Sequence, residues 1–377
     1  MKLLIDLTSL ADNFSGIERF AACISYEMLL QNEDSFILVF KERIHPLFER
    51  FKLNKNVKIA VLPRCNKLLF SQWKLLTTIN KEKADAYFFP AFPAPFFFFN
   101  KNAVSTIHDL GCWDCPSKNK RYMTLYFKIM YRKAAFGAKR VITVSEFSKQ
   151  RISVILKKNK AQIKVIYNGI SDSFEQFKFS AEKNQNAIDA YNLPKDYILC
   201  LSTLEPRKNM RLLIEAFDEL VSDEKIKIDL VLAGRKGWMV ENLLSGISDK
   251  TLKRIHFTGF IEEELLPYVY YNAAMFVFPS VYEGFGVPPI EAMSMGVPVI
   301  SSDAASLPEV LGDAAIMFQN KNRDHLKRCI LNLLQFNDYE MKELKDRGLI
   351  CTKRYNWKSE ARKLRDYLHI EFAGDKK

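Results

Sequence analysis

Two carboxylates, Glu283 and Glu291, bracket a glycine-containing loop in the segment Glu283-Gly-Phe-Gly-Val-Pro-Pro-Ile-Glu291. The apolar run Met275–Pro279 ahead of it reads as a buried strand. Pro288 and Pro289 suit a first helical turn, and Ala292, Met293 and Met295 continue a helix that Gly296 and Pro298 end. A strand, a glycine loop and a helix N-terminus present backbone N–H groups and a positive dipole end to an anion, and a diphosphate suits that place. Carboxylates repel phosphate, so Glu283 and Glu291 are expected to serve hydroxyl groups beside it. Phosphates flanked by hydroxyls describe a nucleotide-sugar.

Four further segments fall where predicted strands end. Ser15-Gly-Ile-Glu-Arg19 opens a helix on one glycine, Gly16, a weaker anion site of the same kind. Thr106-Ile-His-Asp109 ends a strand on His108, and a lone histidine more often serves structure than chemistry. Leu204-Glu-Pro-Arg-Lys-Asn209 sets Arg207 and Lys208 at the start of a helix predicted over 207–221. The plainer reading is a solvated helix end. Cations oppose the dipole there, however, so their placement asks for an anion, and they suit a diphosphate leaving group as its charge grows. Phe257-Thr-Gly-Phe-Ile261 ends another strand at Gly259, where backbone atoms can meet a planar base. His108, Cys112 and Cys115 have metal-like spacing, but no second pair completes four ligands, so no metal is expected.

The elements that must position these residues follow an α/β pattern. Thirteen short β-rich runs alternate with helical patterns, the mark of parallel βαβ units. A chain of 377 residues exceeds one typical core, and the polar stretch 173–195 divides two doubly wound domains. The expected division is 1–175 plus 357–377, and 176–356, with ligands bound at carboxyl strand ends facing across a cleft. The run Asn356–Leu368 is an amphipathic helix behind an Asn cap.

Hydrophobic content of 48% and charged content of 27% fit a globular protein. The longest apolar stretch, Ala86–Phe99, is broken by Pro90, Pro93 and Pro95 and does not read as a membrane span. Met1-Lys-Leu-Leu-Ile-Asp6 reads as a first strand rather than a signal peptide, and seven scattered cysteines fit a cytoplasmic protein. Residues 1–175 hold 28 Lys+Arg and 15 Asp+Glu, a net of +13, against 28 and 29 in the remainder. Such a field attracts anionic lipid, phosphorylated substrates or nucleic acid, although solubility alone would explain it. The basic, aromatic segment Lys118–Lys133 resembles an interfacial helix, and Phe96–Phe99 reads either as a core plug, a short buried strand, or a wall for a lipid acceptor.

The Glu283–Glu291 segment extends to EGFGVPPIEAMSMGVPVISSD. With HDL at 108–110, VSEFSK at 144–149, YNGI at 167–170, LEPRKN at 204–209 and LAG at 232–234, it resembles the family-4 retaining glycosyltransferases of the GT-B fold. The resemblance runs from Ser15 to Trp357 and looks most like bacterial enzymes that build surface polysaccharides, mannosyl- and rhamnosyltransferases among them. It implies two Rossmann-like domains, the first binding acceptor and the second donor, with the C-terminal helix crossing back to the first. It implies that Glu283 binds donor-sugar hydroxyls, helped by the backbone of Gly284, Phe285, Gly286 and Val287, and that Glu291 accepts from the ribose. Lys208 and Arg207 would hold the diphosphate, Gly16 would approach it from the other domain, His108 would contact the sugar, and Phe260 and Ile261 would line the base. No cofactor or metal is implied beyond the nucleotide-diphosphate sugar, with GDP-mannose favoured and a glycan or polyprenyl-linked acceptor.

Two departures stand out. The family pattern has an arginine where this chain has Thr203, so Arg207 is expected to supply that charge, and Glu18 occupies a position often filled by glycine. A phosphorylase or sugar-nucleotide epimerase on the same fold is the rival enzyme reading. A basic nucleic-acid-binding protein is a further rival, but the chain lacks the usual modules, so no nucleic-acid partner is expected.

Overall fold

The computed structural model describes residues 1–11, 14, 16–31, 34–64, 73–116, 121–235 and 243–372. Ser15 and the Lys118–Lys120 start of the basic segment, both named above, lie outside the described residues, as does the stretch 373–377. The chain forms two compact units, Met1–Gly169 with Asn356–Lys377, and Ile170–Tyr355.

Unit 1 holds β1 (Lys2–Asp6), β2 (Ser35–Lys41), β3 (Val57–Leu62), β4 (Ala86–Phe89), β5 (Ala103–Thr106), β6 (Arg140–Thr143) and β7 (Ile163–Val165). They form a parallel sheet in the order β3-β2-β1-β4-β5-β6-β7. Unit 2 holds β8 (Tyr197–Leu201), β9 (Asp229–Ala233), β10 (Ile255–Gly259), β11 (Met275–Phe278), β12 (Val299–Ser302) and β13 (Ile316–Phe318) in the parallel order β10-β9-β8-β11-β12-β13. Central strands such as β4 and β11 are buried at every position, which is why they read as continuous apolar runs rather than alternating ones. In each sheet the order reverses beside the unit's first strand, between β1 and β4 and between β8 and β11. That reversal opens a crevice outside the carboxyl ends.

The predicted strands appear within two residues of their expected bounds. Several other expectations are corrected. The helix expected from Arg207 begins at Met210, because Pro206–Lys208 forms a separate 3-10 turn and Asn209 takes a left-handed conformation at φ 54°. Phe96–Phe99 is neither a strand nor a plug; only Phe98 is buried, against Tyr87 and Phe89. The basic helix spans Arg121–Gly137. The unit boundary falls at Gly169 and Ile170 rather than at 175 and 176. Ile170 donates its N–H to the Tyr355 carbonyl at 3.0 Å, and Phe174 packs edge-on to Tyr270, so both belong to unit 2.

In unit 2 the Met210–Ser222 helix lays Leu213, Ile214, Ala216, Phe217 and Leu220 on the sheet, spacing that keeps one face apolar over three turns. In unit 1 the Trp357–Phe372 helix buries Trp357, Ala361, Leu364, Leu368 and Phe372. Polar contacts fix it further. Glu360 accepts the Tyr167 N–H at 2.9 Å, Glu371 pairs with Arg140 at 2.5 Å, and His369 meets Asp34, whose other oxygen takes the Met1 ammonium at 2.8 Å. Trp357 sits so close to Gly169 that a Cβ built there would lie 2.6 Å from the indole Cγ and from the Trp357 nitrogen.

Gly169→Ala should therefore destabilise unit 1 by about 1–3 kcal/mol through overpacking. Gly137→Ala, whose Cβ would meet only the flexible end of Lys133, should change stability by less than about 0.5 kcal/mol. Urea midpoints of the two variants measure the difference; equal midpoints would show that the indole does not press on Gly169.

Candidate active site

The crevice of unit 2 lies where β8 and β11 end, and these ends carry Lys208 and Glu283. After β8 the chain makes the 3-10 turn, whose Arg207 carbonyl accepts the Val281 N–H at 2.9 Å and so ties the two strand ends together. Lys208 Nζ donates to one oxygen of the Glu283 carboxylate at 2.6 Å, and Arg207 Nη1 donates to the other at 3.1 Å. Arg207 Nε also meets Glu205 at 2.6 Å, and the Lys208 ammonium lies 5.4 Å from the centre of the Phe278 ring. Glu283 is buried, which by itself would push its carboxyl up. Lys208 and then Arg207 outweigh that and hold it below the ordinary carboxylate range, so Glu283 is ionised at neutral pH. The cations thus find their anion within the protein, and they stand in a turn rather than at a helix start.

The loop after Glu283 is held from behind. Ser306 Oγ lies 3.0 Å from both the Glu283 and Phe285 carbonyls, and Phe285 packs edge-on to Tyr355. Gly286 is the N-cap of the Val287–Ser294 helix at φ 99°, and a Cβ there would come within 2.6 Å of Leu307. Both the backbone angle and the contact require glycine. Proline at the second helical position follows without cost, since its missing N–H has no partner there anyway. Glu291, on that helix, is buried and accepts the Tyr270 hydroxyl at 3.0 Å.

The pair expected to line the base divides. Phe260 is half exposed, with the Arg235 guanidinium 4.6 Å from its ring centre, while Ile261 is buried. Lateral bonds prolong the ladder beyond the strands: Gly234 N–H to the Gly259 carbonyl at 2.8 Å and Leu204 N–H to the Arg235 carbonyl at 3.2 Å. Phe260, Arg235, the Pro206–Lys208 turn and Glu283 therefore stand in strand order along the carboxyl ends of β10, β9, β8 and β11.

In unit 1, Gly16 begins the Gly16–Leu30 helix, and a Cβ there would meet nothing within 4 Å. The fold itself does not demand glycine at that point. His108 follows β5, is buried, and donates Nε2–H to the Pro90 carbonyl at 2.9 Å. Only an N–H can satisfy a carbonyl, so this nitrogen carries the proton. Burial pulls the ring down to about 4, and His108 is neutral at physiological pH. The contact expected of His108 would then be made by a neutral side chain or by its carbonyl rather than by a cation. Burial pushes the Cys112 thiol up to about 12, and among the described residues no cluster of His, Cys, Asp and Glu could hold a metal ion.

Residues 181–348 match the family described as glycosyl transferases group 1, and residues 15–174 match Glycosyltransferase Family 4. Over 262 residues the chain is 31% identical to O-antigen chain mannosyltransferase B of Escherichia coli, covering 69% of this chain and 68% of that one. The chain belongs to the family-4 glycosyltransferases. It is also 31% identical over 199 residues to the serotype-specific mannosyltransferase WbdA of Escherichia coli, a match spanning 52% of this chain but only 24% of that much longer one. Solved structures with the same fold include sucrose-phosphate synthase from Thermosynechococcus elongatus (TM-score 0.77, 18% identity, 99% of this chain and 100% of that one). Another is WaaG, a glycosyltransferase involved in lipopolysaccharide biosynthesis (TM-score 0.74, 12% identity, 97% and 99%). The fold is GT-B.

For this glycosyltransferase, sequence reasoning did not find Tyr270, Glu205, Ser306 or Arg235. Tyr270, Ser306 and Arg235 reach the site across a gap in sequence, while Glu205 lies inside the LEPRKN segment and is overlooked beside the two cations. Tyr270 alone carried a usable hint, a tyrosine inside the aromatic run before β11.

The neutral state of His108 predicts a pH dependence. Unfolded, the ring takes a proton near 6.5; folded, it does so only near 4. Between those values the unfolded chain binds more protons, so stability falls as pH drops from 6.5 towards 4, by about 3 kcal/mol in all. His108→Gln should lose that part of the decline, read as the difference in urea midpoints at pH 7 and pH 4.5. Parallel declines in the two proteins would mean that the buried ring is not held neutral.

Proposed function

We propose that this enzyme transfers a mannosyl group from GDP-mannose to a growing surface glycan, on a lipid-linked acceptor at the cytoplasmic face of the membrane. The observation that carries the reading is the ionised Glu283 held between Lys208 and Arg207 at the switch point of unit 2. The name of the Escherichia coli O-antigen mannosyltransferase, with its 31% identity, supports the sugar and the type of product. The net charge of +13 in residues 1–175 supports contact with anionic lipid.

In this proposal an incoming diphosphate competes with Glu283 for the two cations. It binds them and releases the carboxylate to the hydroxyls of the donor sugar. The chemistry is then stabilisation of a departing diphosphate by Lys208, Arg207 and the N–H groups opening the Val287–Ser294 helix, while positive charge grows on the sugar ring. Removal of one such charge typically costs about 10²–10³-fold in rate. Retention of configuration comes with the family. The acceptor attacks on the leaving-group face, and the diphosphate takes its proton. His108 enters through its carbonyl or Nδ1, not as a cation.

Glu291 is assigned to the ribose, with Tyr270 orienting it. Glu291→Ala should weaken GDP binding about tenfold or more in calorimetry, the loss of charge-assisted hydrogen bonds, while GDP affinity equal to that of the unaltered enzyme would remove the role. Because side-chain cations and the helix end carry the phosphate charge here, EDTA should leave the rate of transfer intact. Full inhibition by EDTA, restored by Mg²⁺, would overturn that part of the mechanism.

A further inference from the structure

The charged cluster of unit 2 contains a second carboxylate, and the exchange of Glu283 for a diphosphate does not use it. Glu205 stands beside the place where an anion is to bind, and a carboxylate there repels that ligand unless it serves another group. The chain fixes its position. Leu204 donates its N–H to the Arg235 carbonyl at 3.2 Å, and Glu205 donates its own to the Thr203 carbonyl at 2.8 Å. Pro206 restricts the residue before it to extended backbone, and Glu205 has φ −133° and ψ 153°. From there it reaches both cations. Its carbonyl accepts the Lys208 N–H at 3.0 Å, and its Oε1 meets Arg207 Nε at 2.6 Å.

Arg207 is thereby held on two sides. Nε meets Glu205, while Nη1 donates to Glu283 at 3.1 Å and to the Tyr282 carbonyl at 3.3 Å. Contacts on two different nitrogens of a planar group fix its plane as well as its place. Lys208 needs no such orientation, because an ammonium is a point charge, and its side chain is already 11% exposed against 35% for Arg207. The two contacts of Arg207 are unequal once a ligand arrives. Glu283 is the partner that a diphosphate displaces, and Glu205 is the one that stays. An arginine released at both nitrogens would regain its rotamer freedom at the moment the ligand needs it ordered.

We propose that Glu205 is a positioning residue for Arg207. It orients the guanidinium at the crevice and keeps it there while Glu283 gives up its cations to the diphosphate of the ligand. Glu205 acts as a hydrogen-bond acceptor at Nε and not through its charge, which opposes the incoming anion. The cluster then contains one exchangeable carboxylate, Glu283, and one permanent one, Glu205. This rests on the reading of Lys208 and Arg207 as the diphosphate site of a nucleotide-sugar transferase.

Calorimetry on the full-length enzyme tests it, with GDP, UDP and dTDP as probes and a double-mutant cycle run on whichever binds the unaltered protein most tightly. Glu205→Ala should weaken that nucleotide about tenfold, the loss of one ordered arginine contact. Glu205→Gln, whose amide oxygen still accepts at Nε, should bind within about threefold of the unaltered enzyme. In Arg207→Gln, itself weakened, adding Glu205→Ala should cause no further loss, because the group that Glu205 orients is gone. Urea midpoints report that each variant is folded, and Glu205→Ser replaces Glu205→Ala should the latter not fold. Unchanged or tighter binding by Glu205→Ala overturns the proposal. So does an equal loss with and without Arg207, which would mean that Glu205 shapes the turn and nothing more, and so does a loss in Glu205→Gln as large as that in Glu205→Ala. The donor reading fails separately. UDP or dTDP bound in preference to GDP removes GDP-mannose, while the cycle on that nucleotide still decides the role of Glu205; GDP bound without coupling between the two residues leaves the donor and removes the role.

Discussion

A buried carboxylate between two cations governs unit 2. Taking Glu283 out of water would cost several kcal/mol if it stood alone, and its charge persists only because Lys208 and Arg207 reach it. That single requirement constrains a good deal of structure. The Pro206–Lys208 turn must lie beside the end of β11, which the Arg207–Val281 backbone bond secures. The Glu283–Gly286 loop must hold its shape, which Ser306 and the left-handed Gly286 secure. An ion cluster of this kind contributes little net stability. Its effect is to hold charge in place at the crevice of unit 2.

Both units repeat one topology, and both place their polar groups at the reversal of strand order. Connections leave parallel strands at their carboxyl ends, and neighbouring loops diverge where the order reverses. In unit 2 that gap carries matched charges and a helix start, a polar lining for a polar ligand. In unit 1 it carries one apolar and one charged side. The same fold thus presents two chemically different crevices, and the difference comes from the residues at strand ends rather than from the sheets.

The strands were legible because burial on both faces leaves an unbroken apolar run such as Met275–Phe278, a signal that does not depend on distant partners. The Glu283–Glu291 loop was legible because glycine and proline fix local backbone angles. Errors arose where a neighbour decides. Arg207 looked helical, but the left-handed Asn209 and the reach towards Glu283 hold it in a separate turn. Four consecutive phenylalanines looked like core, but only Phe98 finds a place in it; Lys133 fixes the backbone around the other three and leaves them outside. The unit boundary moved because Ile170 and Phe174 find partners at Tyr355 and Tyr270, far along the chain.

The sequence by itself determined the two-unit α/β architecture, the family, and the residue types gathered at the crevice of unit 2, since each depends on local periodicity or on a short motif with fixed spacing. Tertiary structure decided the state of those residues. Glu283 is ionised only because two cations from another strand end meet it, Glu291 gains Tyr270, and His108 is neutral because burial disfavours the charged ring by more than the Pro90 carbonyl favours it. Protonation and burial are properties of a surrounding volume. A motif can name the atoms at the centre of that volume, but the chain has to fold before it is enclosed.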